Sequence, residues 1–182
     1  YLNNIRYILP MELVHQLVFL YDQGKFKAVV EKAKILVKKY PDEFIIWNIL
    51  GAAYKGLGRI ENALEAFNKV IKINPSLAHG FNNLGTVLKE QGRLNEAIDA
   101  FKKALLLKPD CSETLIEIGN ILQDIGKLEE AIEAYTKSIA LNSEHPETYM
   151  NMGIVLKKQG KLGEAINTFN KAILLKPDYA DP

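Results

Sequence analysis

Apolar residues in this chain recur at spacings of three and four, the signature of amphipathic helices rather than strands. Between 78 and 111, Phe81, Leu84, Gly85 and Leu88 fall on one face of a first helix. Leu94, Ala97, Ile98, Phe101, Ala104 and Leu105 fall on one face of a second. The stretch Glu90-Gln91-Gly92-Arg93 separates them, and Gly92 is placed to take the left-handed conformation that ends a helix. Lys108-Pro109 closes the second helix, because proline blocks its continuation. The pattern predicts two antiparallel helices of about twelve residues, marginal alone and stable once stacked on neighbours.

This unit recurs along the chain. Gly24, Gly58, Gly92, Gly126 and Gly160 lie 34 residues apart, as do Gly51, Gly85, Gly119 and Gly153. Ala63, Ala97, Ala131 and Ala165 keep the same step, and so do Phe67, Phe101, Tyr135 and Phe169. Pro41, Pro75, Pro109 and Pro177 follow it too, with Ser143 in the gap. Five units fit, 10–43, 44–77, 78–111, 112–145 and 146–179, forming a single repeat domain over 10–179. The first is degenerate: Leu17 stands where the others have glycine, Val29 where they have alanine and Ala33 where they have an aromatic. Residues 1–9, with Leu2, Ile5, Ile8 and Leu9 at helical spacing, are expected to be a capping helix or an expression remnant. Residues 180–182 are expected to begin a truncated next unit. Gly85 and Ala97 predict a close helix approach, and Phe101 is expected to reach toward the next unit as a plug.

These residues resemble the tetratricopeptide repeat. Unit 44–77 supplies Trp47, Leu50, Gly51, Tyr54, Gly58, Ala63, Phe67 and Pro75 at the positions the family favours, with Val70 in place of an alanine. Unit 146–179 supplies Tyr149, Met152, Gly153, Leu156, Gly160, Ala165, Phe169, Ala172 and Pro177. Unit 112–145 departs at Ser138 and Ser143. The resemblance implies an all-α fold, a right-handed superhelical solenoid of antiparallel helix pairs (an alpha-alpha superhelix). Its first helices would line a concave groove that binds protein or an extended peptide. Carried over position by position, the groove residues are Asn48 and Lys55, then His79, Asn82, Asn83, Thr86, Lys89 and Glu90. Glu113, Glu117, Asn120, Gln123 and Asp124 follow, then Glu147, Asn151, Lys157 and Lys158.

Asparagine suits such a groove because its amide both donates and accepts, and can hold a peptide backbone. The alternative is that Asn83 and Asn151 satisfy neighbouring-repeat or local backbone groups. Replacing Asn82, Asn83, Asn120 and Asn151 by alanine is expected to weaken ligand binding and leave the melting temperature nearly unchanged. Family members that clamp a C-terminal carboxylate use a lysine where this chain has Val14, Asn48, Asn82, Ile116 and Met150, so that ligand is not expected. The run Phe81-Asn82-Asn83-Leu84-Gly85 is similar to repeats preceding the catalytic part of O-linked N-acetylglucosamine transferases. Similar arrays precede some bacterial sulfotransferases. That likeness implies a second reading, the recruiting arm of a larger transferase.

Composition narrows the alternatives. The chain has 182 residues, 48% of them hydrophobic and 25% charged, which fits a folded rather than a disordered chain. Lys and Arg number 23 against 22 Asp and Glu, without the basic excess of a phosphate-neutralising nucleic-acid binder. No apolar run is long enough to span a bilayer, and the lone Cys111 cannot form an internal disulfide. No glycosylation acceptor is present, and a cytoplasmic location is expected. The chain opens at Tyr1 rather than Met, as expected of a processed, trimmed or excerpted chain.

Candidate chemistry is sparse. His15, His79 and His145 show no metal-ligand spacing, and no motif flanks Cys111. Gly56-Leu57-Gly58 lacks the third glycine of a dinucleotide loop, since Glu61 stands there. Glu129, Glu130 and Glu133 read as a solvated face. The expectation is a non-catalytic binding scaffold without metal or cofactor, partnered by protein or peptide rather than nucleic acid or membrane. The last second helix, with Ile166, Phe169 and Ile173, is expected to expose an apolar face open to self-association.

Overall fold

A computed structural model describes residues 8–177. Among them are ten α-helices and no strand: α1 (Met11–Asp22), α2 (Phe26–Lys39), α3 (Phe44–Gly56), α4 (Ile60–Ile73), α5 (Ala78–Glu90), α6 (Leu94–Leu107), α7 (Ser112–Asp124), α8 (Leu128–Leu141), α9 (Pro146–Lys158) and α10 (Leu162–Leu175). The expected capping helix lies mostly outside the described residues; Ile8 and Leu9, which are described, are not helical. Residues 180–182 also lie outside. The chain forms two compact units, one ending at Ala100 and one beginning at Phe101.

Each hairpin turn is built from the backbone. Gly58 sits at φ +69°, which a side chain would strain. Its N–H donates to Lys55 O at 2.9 Å, and Arg59 N–H donates to Tyr54 O at 2.8 Å, a Schellman closure of α3. The same two bonds recur at Gly24, Gly92, Gly126 and Gly160. A basic residue follows every one of these glycines (Lys25, Arg59, Arg93, Lys127, Lys161), set at the carbonyl end of the first helix.

In the first unit, α4 buries Ala63, Ala66, Phe67 and Val70 at spacings of three and one, and turns its Glu, Asn and Lys residues outward. Helix α3 touches α1, α2, α4 and α5, and buries Ile46, Leu50, Gly51, Ala53 and Tyr54. These residues join Leu17, Val29, Ala33, Tyr40 and Val87 in one core. The Phe67 ring rests on Gly51: a Cβ there would lie 2.7 Å from Phe67 Cε1. In the second unit, Tyr135 rests on Gly119 and Phe169 on Gly153 in the same way. These equivalents of Phe101 therefore seat against the glycine of their own hairpin.

The degenerate first hairpin obeys the same volume rule with its parts exchanged. Leu17 and Ala33, both fully buried, replace the small residue on the first helix and the large one on the second. Total volume is what a packed core conserves. Ser138, the departure in the fourth hairpin, donates from Oγ to Ser112 O at 3.1 Å, so its buried hydroxyl is satisfied. On the last helix Ile166 is 59% exposed, as expected. Phe169 and Ile173 are half-buried instead, the former because its ring lies on Gly153.

Candidate functional site

The proposed groove residues lie on first helices, and within each unit the structure ties adjacent first helices by side-chain bonds. In the first unit, Asn83 Nδ2 on α5 donates to Asn48 Oδ1 on α3 at 2.8 Å. About two turns along, Lys55 Nζ and Glu90 Oε1 stand 3.5 Å apart. Thr86 Oγ1 donates to Asn82 O of the preceding turn at 3.0 Å, so its hydroxyl is held on its own helix. Asn82 and Lys89 are half-buried on α5, and His79 is exposed near its start.

The second unit repeats the link. Asn151 Nδ2 on α9 donates to Asn120 Oδ1 on α7 at 3.0 Å. The same oxygen accepts from Tyr135 Oη on α8 at 2.7 Å, with Gln123 Oε1 a longer acceptor at 3.4 Å. Burial holds the Tyr135 phenol well above its ordinary pKa, and the Asp124 and Glu117 carboxylates push the same way. Glu113 is held below the usual glutamate range, first by its own backbone N–H at the start of α7 and then by the Cys111 thiol, whose Sγ is 3.5 Å from Oε2. Glu117 is half-buried, while Asp124, Glu147, Lys157 and Lys158 are exposed.

Asn83 and Asn151 thus satisfy neighbouring-repeat groups, and the asparagines are structural as well as accessible. Alanine at Asn120 would strand a buried tyrosine hydroxyl, which overturns the expectation of an unchanged melting temperature. Each amide pair is only half used. Among the described residues, no other group bonds Asn48 Nδ2, Asn83 Oδ1, Asn120 Nδ2 or Asn151 Oδ1. Each pair therefore presents one spare donor and one spare acceptor, the complement of a peptide group.

Tyr135 was not among the sequence candidates, although a signal existed. It is the one hydroxylated aromatic at its repeat position, and it coincides with Asn120 on the facing helix. Two further links also went unread: Gln91 Nε2 donates to Glu61 Oε1, and Gln159 Nε2 to Glu129 Oε1, each at 2.8 Å. Among the described residues no group of three or more His, Cys, Asp or Glu is placed to hold a metal ion. No helix among them is long and apolar enough to cross a membrane.

A family model described as tetratricopeptide repeat matches residues 44–77, 78–111 and 146–179, and one described as TPR repeat matches 119–160. No curated protein matches the sequence. Among solved structures, MamA is similar at 24% identity, over 88% of this chain and 94% of that one, with a TM-score of 0.83. PilF of Pseudomonas aeruginosa is similar at 20% identity, over 90% of this chain and 74% of that one, with a TM-score of 0.81. YrrB, described as a TPR protein with an unusual peptide-binding site, is similar at 19% identity, over 91% and 86%, with a TM-score of 0.77. At these identities the likeness is one of fold.

Proposed function

This chain belongs to the tetratricopeptide repeat family, and on that premise we propose that it is a binding scaffold whose first-helix face receives an extended peptide segment. The observation that carries the reading is the pair of half-used asparagine links, Asn48–Asn83 and Asn120–Asn151. Each is locked by one bond, so its spare N–H and C=O are oriented before a ligand arrives. Pre-organised groups lose little side-chain entropy on binding. Backbone-directed amides also tolerate varied ligand side chains, which suits a scaffold. YrrB carries a peptide-binding site on a similar fold.

Aspartate substitution tests this. In Asn48→Asp and Asn120→Asp, an oxygen remains to accept from Asn83, Asn151 and Tyr135, but the outward N–H2 is lost. The double variant should keep its fold and lose about tenfold in affinity for a peptide selected from a display library, roughly one peptide hydrogen bond per pair. Unchanged affinity in a folded double variant would remove the asparagines from the site.

A further inference from the structure

Away from the first-helix face, the open end of the second hairpin holds a cleft of about 520 Å³ lined by Pro41, Asp42, Trp47, Lys69, Lys72 and Ile73. That volume falls within the ~300–1,000 Å³ range typical of ligand clefts. One wall is the half-buried indole of Trp47, pinned by its Nε1–H donating to Pro41 O at 2.9 Å. Pro41 and Ile73 extend the apolar surface. Lys69 and Lys72, one turn apart on α4, stand at the lip, and among the described residues neither makes an ion pair. Asp42 is the one carboxylate among the residues lining this cleft, against the two lysines.

We propose that this cleft is a second binding site, for an acidic peptide segment with an aromatic anchor residue. The anchor stacks on the Trp47 indole between Pro41 and Ile73. Flanking carboxylates reach Lys69 and Lys72, whose charges have no internal partner to lose. The two lysines also border an adjoining hollow lined by Glu61, Leu64, Glu65 and Asn68. Its carboxylates repel an acidic chain, so the ligand is confined to the Trp47 side. The site goes beyond the groove reading and shares none of its residues.

Trp47 is the only tryptophan in the chain, so the cleft carries its own reporter. The probe is the capped pentapeptide Asp-Glu-Phe-Asp-Glu, titrated against Trp47 fluorescence beside its Asn-Gln-Phe-Asn-Gln counterpart. The acidic peptide should give a saturable change that weakens as salt is raised, and the amide peptide should bind far more weakly. K69E/K72E should weaken the acidic peptide about tenfold, and the milder K69A/K72A about threefold, each checked for folding by circular dichroism. The absence of a saturable change, equal binding of the amide peptide, or wild-type affinity in both lysine variants would overturn the proposal.

Discussion

Replacing Asn120 separates the structural role of the asparagine links from their proposed binding role. Its Oδ1 accepts from Tyr135 Oη at 2.7 Å and from Asn151 Nδ2 at 3.0 Å. Tyr135 is 0% exposed, so Asn120→Ala leaves a buried hydroxyl without its main acceptor. An unsatisfied buried donor costs about 1–3 kcal/mol. Gln123 Oε1, already 3.4 Å away, can take up part of the loss and places the cost in the lower half of that range. The half-buried Asn151 amide turns to water for about 0.5 kcal/mol, giving a total near 2 kcal/mol. Asn120→Asp keeps both acceptors. Its new charge faces Glu117 three residues before and Asp124 four after, a repulsion of about 0.5 kcal/mol each, offset by stronger charge-assisted bonds. The expected net cost is therefore below about 1 kcal/mol. Urea unfolding of both variants and of each combined with Tyr135→Phe measures this, with coupling of about 1 kcal/mol expected between Asn120→Ala and Tyr135→Phe. An aspartate as costly as the alanine, or additive Asn120→Ala and Tyr135→Phe, would refute the assignment of Asn120 as the shared acceptor.

Two other outcomes follow from single side chains. The Tyr135 phenol titrates above its ordinary range in the fold, so its contribution to stability is complete below about pH 10 and is lost as pH rises beyond it. Tyr135→Phe should flatten the fall in melting temperature above about pH 10, and a wild-type slope in that variant would contradict the burial argument. Among the described residues Gln159 Oε1 is buried without a partner, whereas the equivalent Gln91 Oε1 accepts from Arg93 Nη1 at 3.3 Å. Gln159→Leu should therefore be neutral or stabilising by up to about 1 kcal/mol while Gln91→Leu destabilises, and thermal melts showing the same sign for both would disprove the distinction.

Helix pairs and turns were legible in the sequence because one-residue requirements encode them. A Schellman closure needs a residue at positive φ, and Gly24, Gly58, Gly92, Gly126 and Gly160 all adopt it. Leu17 and Ala33 looked like decay of the pattern because each was compared with its own column; packing reads the two columns together, and large-for-small on one helix answers small-for-large on the other. The asparagines were legible as a face but not as pairs. Whether Asn83 meets Asn48 depends on the placement of two helices and two rotamers, and the bonded residues hold different positions in their repeats. The aromatic column hid Tyr135 because its ring matches Phe67, Phe101 and Phe169, and only the hydroxyl distinguishes its role.

The polar links also expose a longer step that the 34-residue period conceals. Glu61–Gln91 and Glu129–Gln159 are the same bond displaced by 68 residues, and Asn83 and Asn151 are displaced equally. Gln23, Gln91 and Gln159 occupy one column in alternate repeats, with Leu57 and Ile125 between them. Glu61 and Glu129 stand in the repeats that carry the apolar residues, so acceptor and donor alternate along the chain. In the last four hairpins the glycine, alanine and aromatic columns are alike and give any one no reason to prefer a particular neighbour. A glutamine that bonds a glutamate does give such a reason, because the directional bond forms only when that glutamate stands alongside, whereas a methyl group packs against any apolar neighbour. Register between neighbouring hairpins is therefore carried by the columns that vary, and it is in those same columns that the amides available to a ligand are found.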